Sequence, residues 1–290
     1  MRWIPRGMKV RIHPLFLLLG AISIAAGMGT EILIVFTIVI IHELGHICAA
    51  TAFGYRVKEM VLLPFGGVAK LESGTYGWSP RHETWIALAG PLNNLLLILV
   101  GIGFHVTGIW DSSLTEFFNR TNLTIACFNL LPALPLDGGR ILRAAYAQTI
   151  GFYRSTKVGI RMAFVLSFVC MIFGIAALAV GYVHVGILVL SVFLFASAWQ
   201  LKRQLHYDMI RFLDARRRVP KDRPQEVRTL AVSDCVKLQD VVADFAPNAY
   251  HVVYVLDNEQ DVKGIMGERE VLDSLFDRDN WGKPIGQFLP

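Results

Sequence analysis

Of 290 residues, 54% are hydrophobic and only 18% charged, which is more apolar than one ordinary soluble domain needs and indicates a membrane protein. Lys and Arg exceed Asp and Glu by only 28 to 23, an excess too small to point to a nucleic-acid partner, so the placement of the positive charges carries more information than their number.

That placement is very uneven. No Lys or Arg occurs between Ile12 and Gly54, between Trp85 and Trp110, between Thr121 and Gly139, or between Met162 and Gln200. A helix needs about 20 apolar residues to cross the hydrocarbon, so the first and last gaps hold two crossings each. The expected spans are residues 13–29, 32–53, 85–107, 121–138, 162–182 and 184–201. The first is read as a crossing rather than a cleaved leader, because a second span follows almost at once and no small-residue cleavage site stands out. With an even number of crossings, nearly all basic residues fall on one face, and the positive-inside rule places both termini in the cytoplasm.

Between the second and third spans, "YRVKEMVLLPFGGVAKLESG" is rich in β-formers around Gly66 and Gly67 and predicts a membrane-associated β-hairpin. After the last span, "LKRQLHYDMIRFLDARRR" reads as a helix leaving the membrane and "RRRVPKDRPQE" as a Pro-broken linker. The segment from 227 then alternates helical and strand patterns: "VKLQDVVADF", "HVVYVL", "IMGE" and "REVLDSLF". The expected organisation is a transmembrane domain over 1–205, a helix and linker over 206–226, and a small α/β domain over 227–290. About 64 residues make a marginal core, which predicts docking or a homo-oligomer through this domain. Cys48, Cys127, Cys170 and Cys235 show no CxxC spacing and read as small apolar fillers. Asn119 and Asn122 match the glycosylation pattern, a match short enough to arise by chance. The scattered His13, His82, His105, His184, His206 and His251 read as surface or interface groups.

The polar cluster "HELGH" lies inside the second span. His42 and His46 are one helical turn apart, so both imidazoles face the same way, a spacing that suits two ligands to one metal ion. Glu43 follows the first histidine and can reach a water held by that metal as the catalytic acid/base. An ionisable residue near the bilayer centre costs at least about 2.5 kcal/mol on insertion scales, so three clustered polar groups call for a compensating function. Catalytic zinc normally takes three protein ligands. The candidate third is Asp137 in "FNLLPALPLDGGR", placed at the inner end of the fourth span, although a cap on the following helix would also explain it. Asn129 is a candidate oxyanion donor.

"HELGH" in a span, "LAGPLNN" at 88–94 and "NLLPALPLDGG" in the fourth span together resemble the site-2 protease family of intramembrane zinc metalloproteases. The resemblance implies a polytopic α-helical membrane protein of about six spans, one Zn2+ held by His42, His46 and Asp137, and catalysis by Glu43. It also implies that Asn129 and Pro135 shape the substrate cleft. Within that family the chain is most similar to sporulation members, which implies a membrane-associated sigma-factor precursor, pro-sigma-K, as substrate. It also implies inhibitory membrane partner proteins and a location in the membrane around the forespore. Another membrane-anchored regulator, such as an anti-sigma factor, is the second substrate class. The tail resembles a single CBS (cystathionine-β-synthase) domain, linked to adenine nucleotides such as ATP. It departs from that pattern where ribose-gripping domains carry Thr or Ser, two residues, then Asp: here stand Gly267, Glu268, Arg269 and Glu270. Polar spans joined to such a tail also suit a CBS-gated transporter or a silent scaffold, and both of these tolerate Glu43→Gln.

Overall fold

The computed structural model describes residues 9–12, 14–63, 66–72, 79–180, 185–218, 226–277 and 280–289. Its helices are α1 (Pro14–Ala25), α2 (Gly29–Ala52), α3 (Pro80–Val106), α4 (Ser112–Asn129), α5 (Asp137–Ile150), α6 (Phe152–Ala179) and α7 (Val185–Arg218). Four of them are long and apolar enough to cross a membrane: Gly29–Ala52, Pro80–Val106, Phe152–Ala179 and Gly186–Arg217. Their outward faces carry large bare side chains, among them Leu33, Leu99, Phe173 and Val192, whose burial is left to lipid rather than to protein. The chain is a multi-pass membrane protein.

Four of the six expected spans overlap the four long apolar helices; the first, expected over 13–29, corresponds to α1, whose 12 residues are fewer than a crossing needs, and the fourth is interrupted. Where one span over 121–138 was expected, α4 ends at Asn129, and α5 begins at Asp137. Pro132 and Pro135 explain the break, because a proline ring clashes with the preceding turn and offers no N–H to it. The intervening loop is tied to α6 through Leu134 N donating to Gly159 O at 3.2 Å, and the Leu134–Pro135 bond is cis. Gly138 and Gly139 lie directly against the backbone of Leu130–Leu134, where any side chain would collide. They fix how α5, and with it Asp137, enters the bundle.

The hairpin is present as β2 (Arg56–Leu63) and β3 (Gly66–Glu72), paired antiparallel. A third strand, β1 (Lys9–Ile12), not expected from the sequence, pairs parallel to β2. The sheet order β1-β2-β3 therefore covers both edges of β2 and leaves β3 with one strand neighbour among the described residues.

The C-terminal segment forms β4 (Glu226–Ser233), α8 (Leu238–Val242), β5 (Ala249–Leu256), β6 (Val262–Gly267) and α9 (Glu268–Phe276), with strand order β4-β5-β6. Of the expected linker over 216–226, Arg216–Arg218 extend α7, Glu226 opens β4, and 219–225 lie outside the described residues. Met209 and Leu213 of α7 belong to the same buried cluster as Val253, Leu272 and Leu275, so docking within the chain supplies part of the core that a segment of this size lacks.

His251, expected at a surface or an interface, is fully buried within the C-terminal segment. Its Nε2 accepts from Ala246 N at 3.1 Å, and its Nδ1 lies 3.3 Å from Glu268 Oε2. Arg216, at the end of α7, holds both Glu268 oxygens at 2.8 Å and donates to Ala246 O and Ala249 O. Burial alone would lift the Glu268 carboxyl, but hydrogen bonds from His251 and Arg216 hold it well below the usual carboxylate range. Burial pushes His251 the other way, below its ordinary value, so it stays neutral. Arg216→Met strands a buried carboxylate and is expected to destabilise the C-terminal segment by about 3–5 kcal/mol, read as faster amide exchange across β5 in the full chain.

Candidate metal centre

His42, Glu43 and His46 project from the middle of α2 and are buried, at 1%, 4% and 4% exposure. Asp137 opens α5 and is also buried. The two imidazole Nε2 atoms are 3.2 Å apart, and Asp137 Oδ2 is 3.2 Å from each. His46 Nδ1 lies 2.7 Å from Ile86 O. A backbone carbonyl can only accept, so the proton is on Nδ1 and Nε2 presents a lone pair. His42 Nδ1 is likewise engaged, by Asn94 Oδ1.

Two imidazole lone pairs and a carboxylate oxygen thus converge with no proton to share. Asp137 Oδ2, though close enough for an ion pair, makes no hydrogen bond. Three acceptors so close repel one another unless a cation lies among them. The site fits zinc: a triangle 3.2 Å on a side is one face of a tetrahedron whose centre lies ~2.0 Å from each corner, the usual Zn–N and Zn–O distance. Gly90 of α3 faces the cluster, and a Cβ there would stand 2.7 Å from His42 Nε2 and closer still to His46. The absent side chain keeps the space open.

Several participants were not legible in the sequence. Arg140 sits on the next turn of α5, with Nη1 3.6 Å from Asp137 Oδ1 and Nε 3.9 Å from Oε1 of the buried Glu83. Arg143 pairs with the same Glu83 oxygen. These groups hold the start of α5 against α3 with opposite charges. Asn94 and Asn122, both 0% exposed, bond to each other behind His42. Asn94 lies in the quoted "LAGPLNN", and a buried amide in an apolar helix was the available signal. Asn122 matched a glycosylation pattern, but its burial excludes that use. Of the predicted support residues, Asn129 ends α4 with its Nδ2 donating to Ile125 O at 3.0 Å, and Pro135 lies half-buried in the loop before Asp137. Asn129 is thus bonded within its own helix. The four cysteines are free.

A membrane-embedded His-His-Asp cluster with a glutamate beside it defines a class of metalloprotease, and comparison with known proteins gives the same answer. The sequence matches the model of Peptidase family M50 over residues 30–110 and 107–173. It is 30% identical over 276 residues to stage IV sporulation protein FB of Bacillus subtilis, spanning 95% of this chain and 94% of that protein. A zinc metalloprotease of Methanocaldococcus jannaschii is 29% identical, over 70% of this chain and 60% of its own. Among solved structures, the site-2 protease from the same archaeon superposes with a TM-score of 0.56 at 29% identity, covering 68% of this chain and 92% of that one. The chain belongs to Peptidase family M50, the site-2 proteases, and is an intramembrane zinc metalloprotease. Membership decides against the transporter and scaffold readings.

Proposed function

We propose that His42, His46 and Asp137 hold the zinc ion, that Glu43 manages the protons, and that the substrate is the membrane-associated pro-sequence of a sporulation sigma factor of the pro-sigma-K type. The observation that carries the site is the convergence of three protonless ligand atoms from α2 and α5, 3.2 Å apart, inside a bundle of apolar helices. The substrate class rests on likeness along 95% of the chain to stage IV sporulation protein FB. When bound, zinc acidifies a water and polarises the scissile carbonyl. Glu43 takes the proton from the attacking water and delivers it to the leaving nitrogen. Asn129 uses one amide N–H on Ile125 O, and its amide carries a second that is the proposed donor to the developing oxyanion. Pro132 and Pro135 keep that stretch out of helix and shape the cleft.

A helical substrate hides its peptide bonds and must be drawn out. Strand addition at the edge of β3 that no strand among the described residues occupies supplies main-chain hydrogen bonds as the substrate helix unwinds. Prolines at β3 positions whose N–H points away from β2 are expected to abolish cleavage without loss of zinc; unchanged cleavage would remove this step from the scheme.

The proposed topology has six crossings, with α1 and α4 joining the four long helices, and both termini in the cytoplasm, in the membrane around the forespore. The proposed domains are 1–205, the 206–226 connection, and a CBS-like regulatory domain over 227–290, through which chains pair and inhibitory partners act. A nucleotide role for it draws no support from the residues at the ribose position: Glu268 is bound to Arg216, and Glu270 Oε2 accepts from Gly267 N at 2.7 Å. Co-expression of the full chain with a membrane-tethered sigma-factor precursor, and separately with an anti-sigma factor, tests the substrate. A shortened precursor that vanishes with Glu43→Gln is expected; cleavage of the anti-sigma factor alone would transfer the assignment.

A further inference from the structure

The two histidines are oriented by different means. His46 is set by a backbone carbonyl, Ile86 O. His42 faces only a side-chain amide, Asn94 Oδ1, and an amide can turn over to present its NH2 instead. In that orientation Asn94 would donate to His42 Nδ1, the ring proton would move to Nε2, and the lone pair would point away from the site. Something must fix the direction of that amide.

The fixing group lies on a third helix. Asn94 Nδ2 donates to Asn122 Oδ1 at 3.0 Å, and Asn122 Nδ2 donates to Phe118 O at 2.9 Å, one turn back along α4. A backbone oxygen has no proton to give, so Asn122 must present its NH2 to Phe118 and its oxygen to Asn94. Asn94 must then present its NH2 to Asn122 and its oxygen to His42. His42 in turn carries its proton on Nδ1 and its lone pair on Nε2, 3.2 Å from Asp137 Oδ2. Both asparagines are fully buried, so water cannot compete for these bonds, and a reversed Asn94 would set its oxygen against Asn122 Oδ1, acceptor against acceptor.

We propose that Asn122 and Asn94 form a one-way hydrogen-bond relay from the backbone of α4 to His42, selecting the imidazole tautomer able to bind the metal. Asn122 is then a positioning residue that acts on the zinc site without touching a ligand. The inference rests on His42 being a zinc ligand.

The test uses the full-length chain in detergent, with zinc alone as probe. Zinc affinity is measured by competition with a chelator, and the His42 tautomer by 15N shifts of the metal-free protein. The near-isosteric Asn122→Leu leaves His42 and Asn94 untouched, and it is expected to weaken zinc binding by about 10-fold and to turn a single Nδ1-protonated ring into a mixture of tautomers. Asn94→Leu removes the acceptor itself and is expected to cost up to about 100-fold. Should Asn94→Leu fail to fold, Asn122→Leu decides alone. Parent-like zinc affinity and tautomer in Asn122→Leu, with the parent binding zinc, overturn the relay and spare the site. A parent that binds no zinc overturns both.

Discussion

Glu43→Gln is expected to retain stoichiometric zinc while losing cleavage by on the order of 10²–10⁴-fold, the usual contribution of a positioned acid/base. The reasoning is geometric. Glu43 leaves α2 one residue after His42, so it is carried by the same rigid turn as two candidate ligands, and it is 4% exposed. Glutamine keeps its size and its hydrogen-bonding reach but cannot accept a proton to form a neutral acid. Metal content measured beside product formation checks both halves. Loss of zinc together with activity would place Glu43 among the ligands, and full activity would remove it from the mechanism.

Asp137→Asn is expected to lose zinc by more than the roughly 10–100-fold typical of an outer partner, and to lose cleavage with it. The same change should leave the metal-free protein no less stable. Without a cation, the Asp137 carboxylate faces two nitrogen lone pairs at 3.2 Å, whereas an asparagine NH2 can donate to one of them. Arg140 would lose its ion pair with residue 137 but keep Glu83. Metal analysis distinguishes this from a mere helix cap: asparagine caps a helix as well as aspartate, so a capping role would leave both zinc and stability unchanged in Asp137→Asn. The loss of zinc, not the change in stability, separates the two roles in this variant.

The sequence by itself determined whatever depends on neighbours along the chain. The spacing of His42 and His46 on one helix face follows from the α-helical repeat, and the membrane character follows from long stretches without a charge. The hairpin around Gly66 and the helix and strand pattern after 227 are equally local. The tertiary structure alone decided what depends on residues far apart in sequence. It showed that the expected fourth span stops at Asn129, so that Asp137, named from the sequence as the candidate third ligand, begins a separate α5 and lies against His46, 91 positions away in the chain. It also brought Asn94 and Asn122 behind His42, Arg140 and Arg143 onto Glu83, and Arg216 onto Glu268. The physical reason is the same in each case. A buried polar group must find a partner, but any helix in the bundle can supply one, and periodicity says nothing about which helix does.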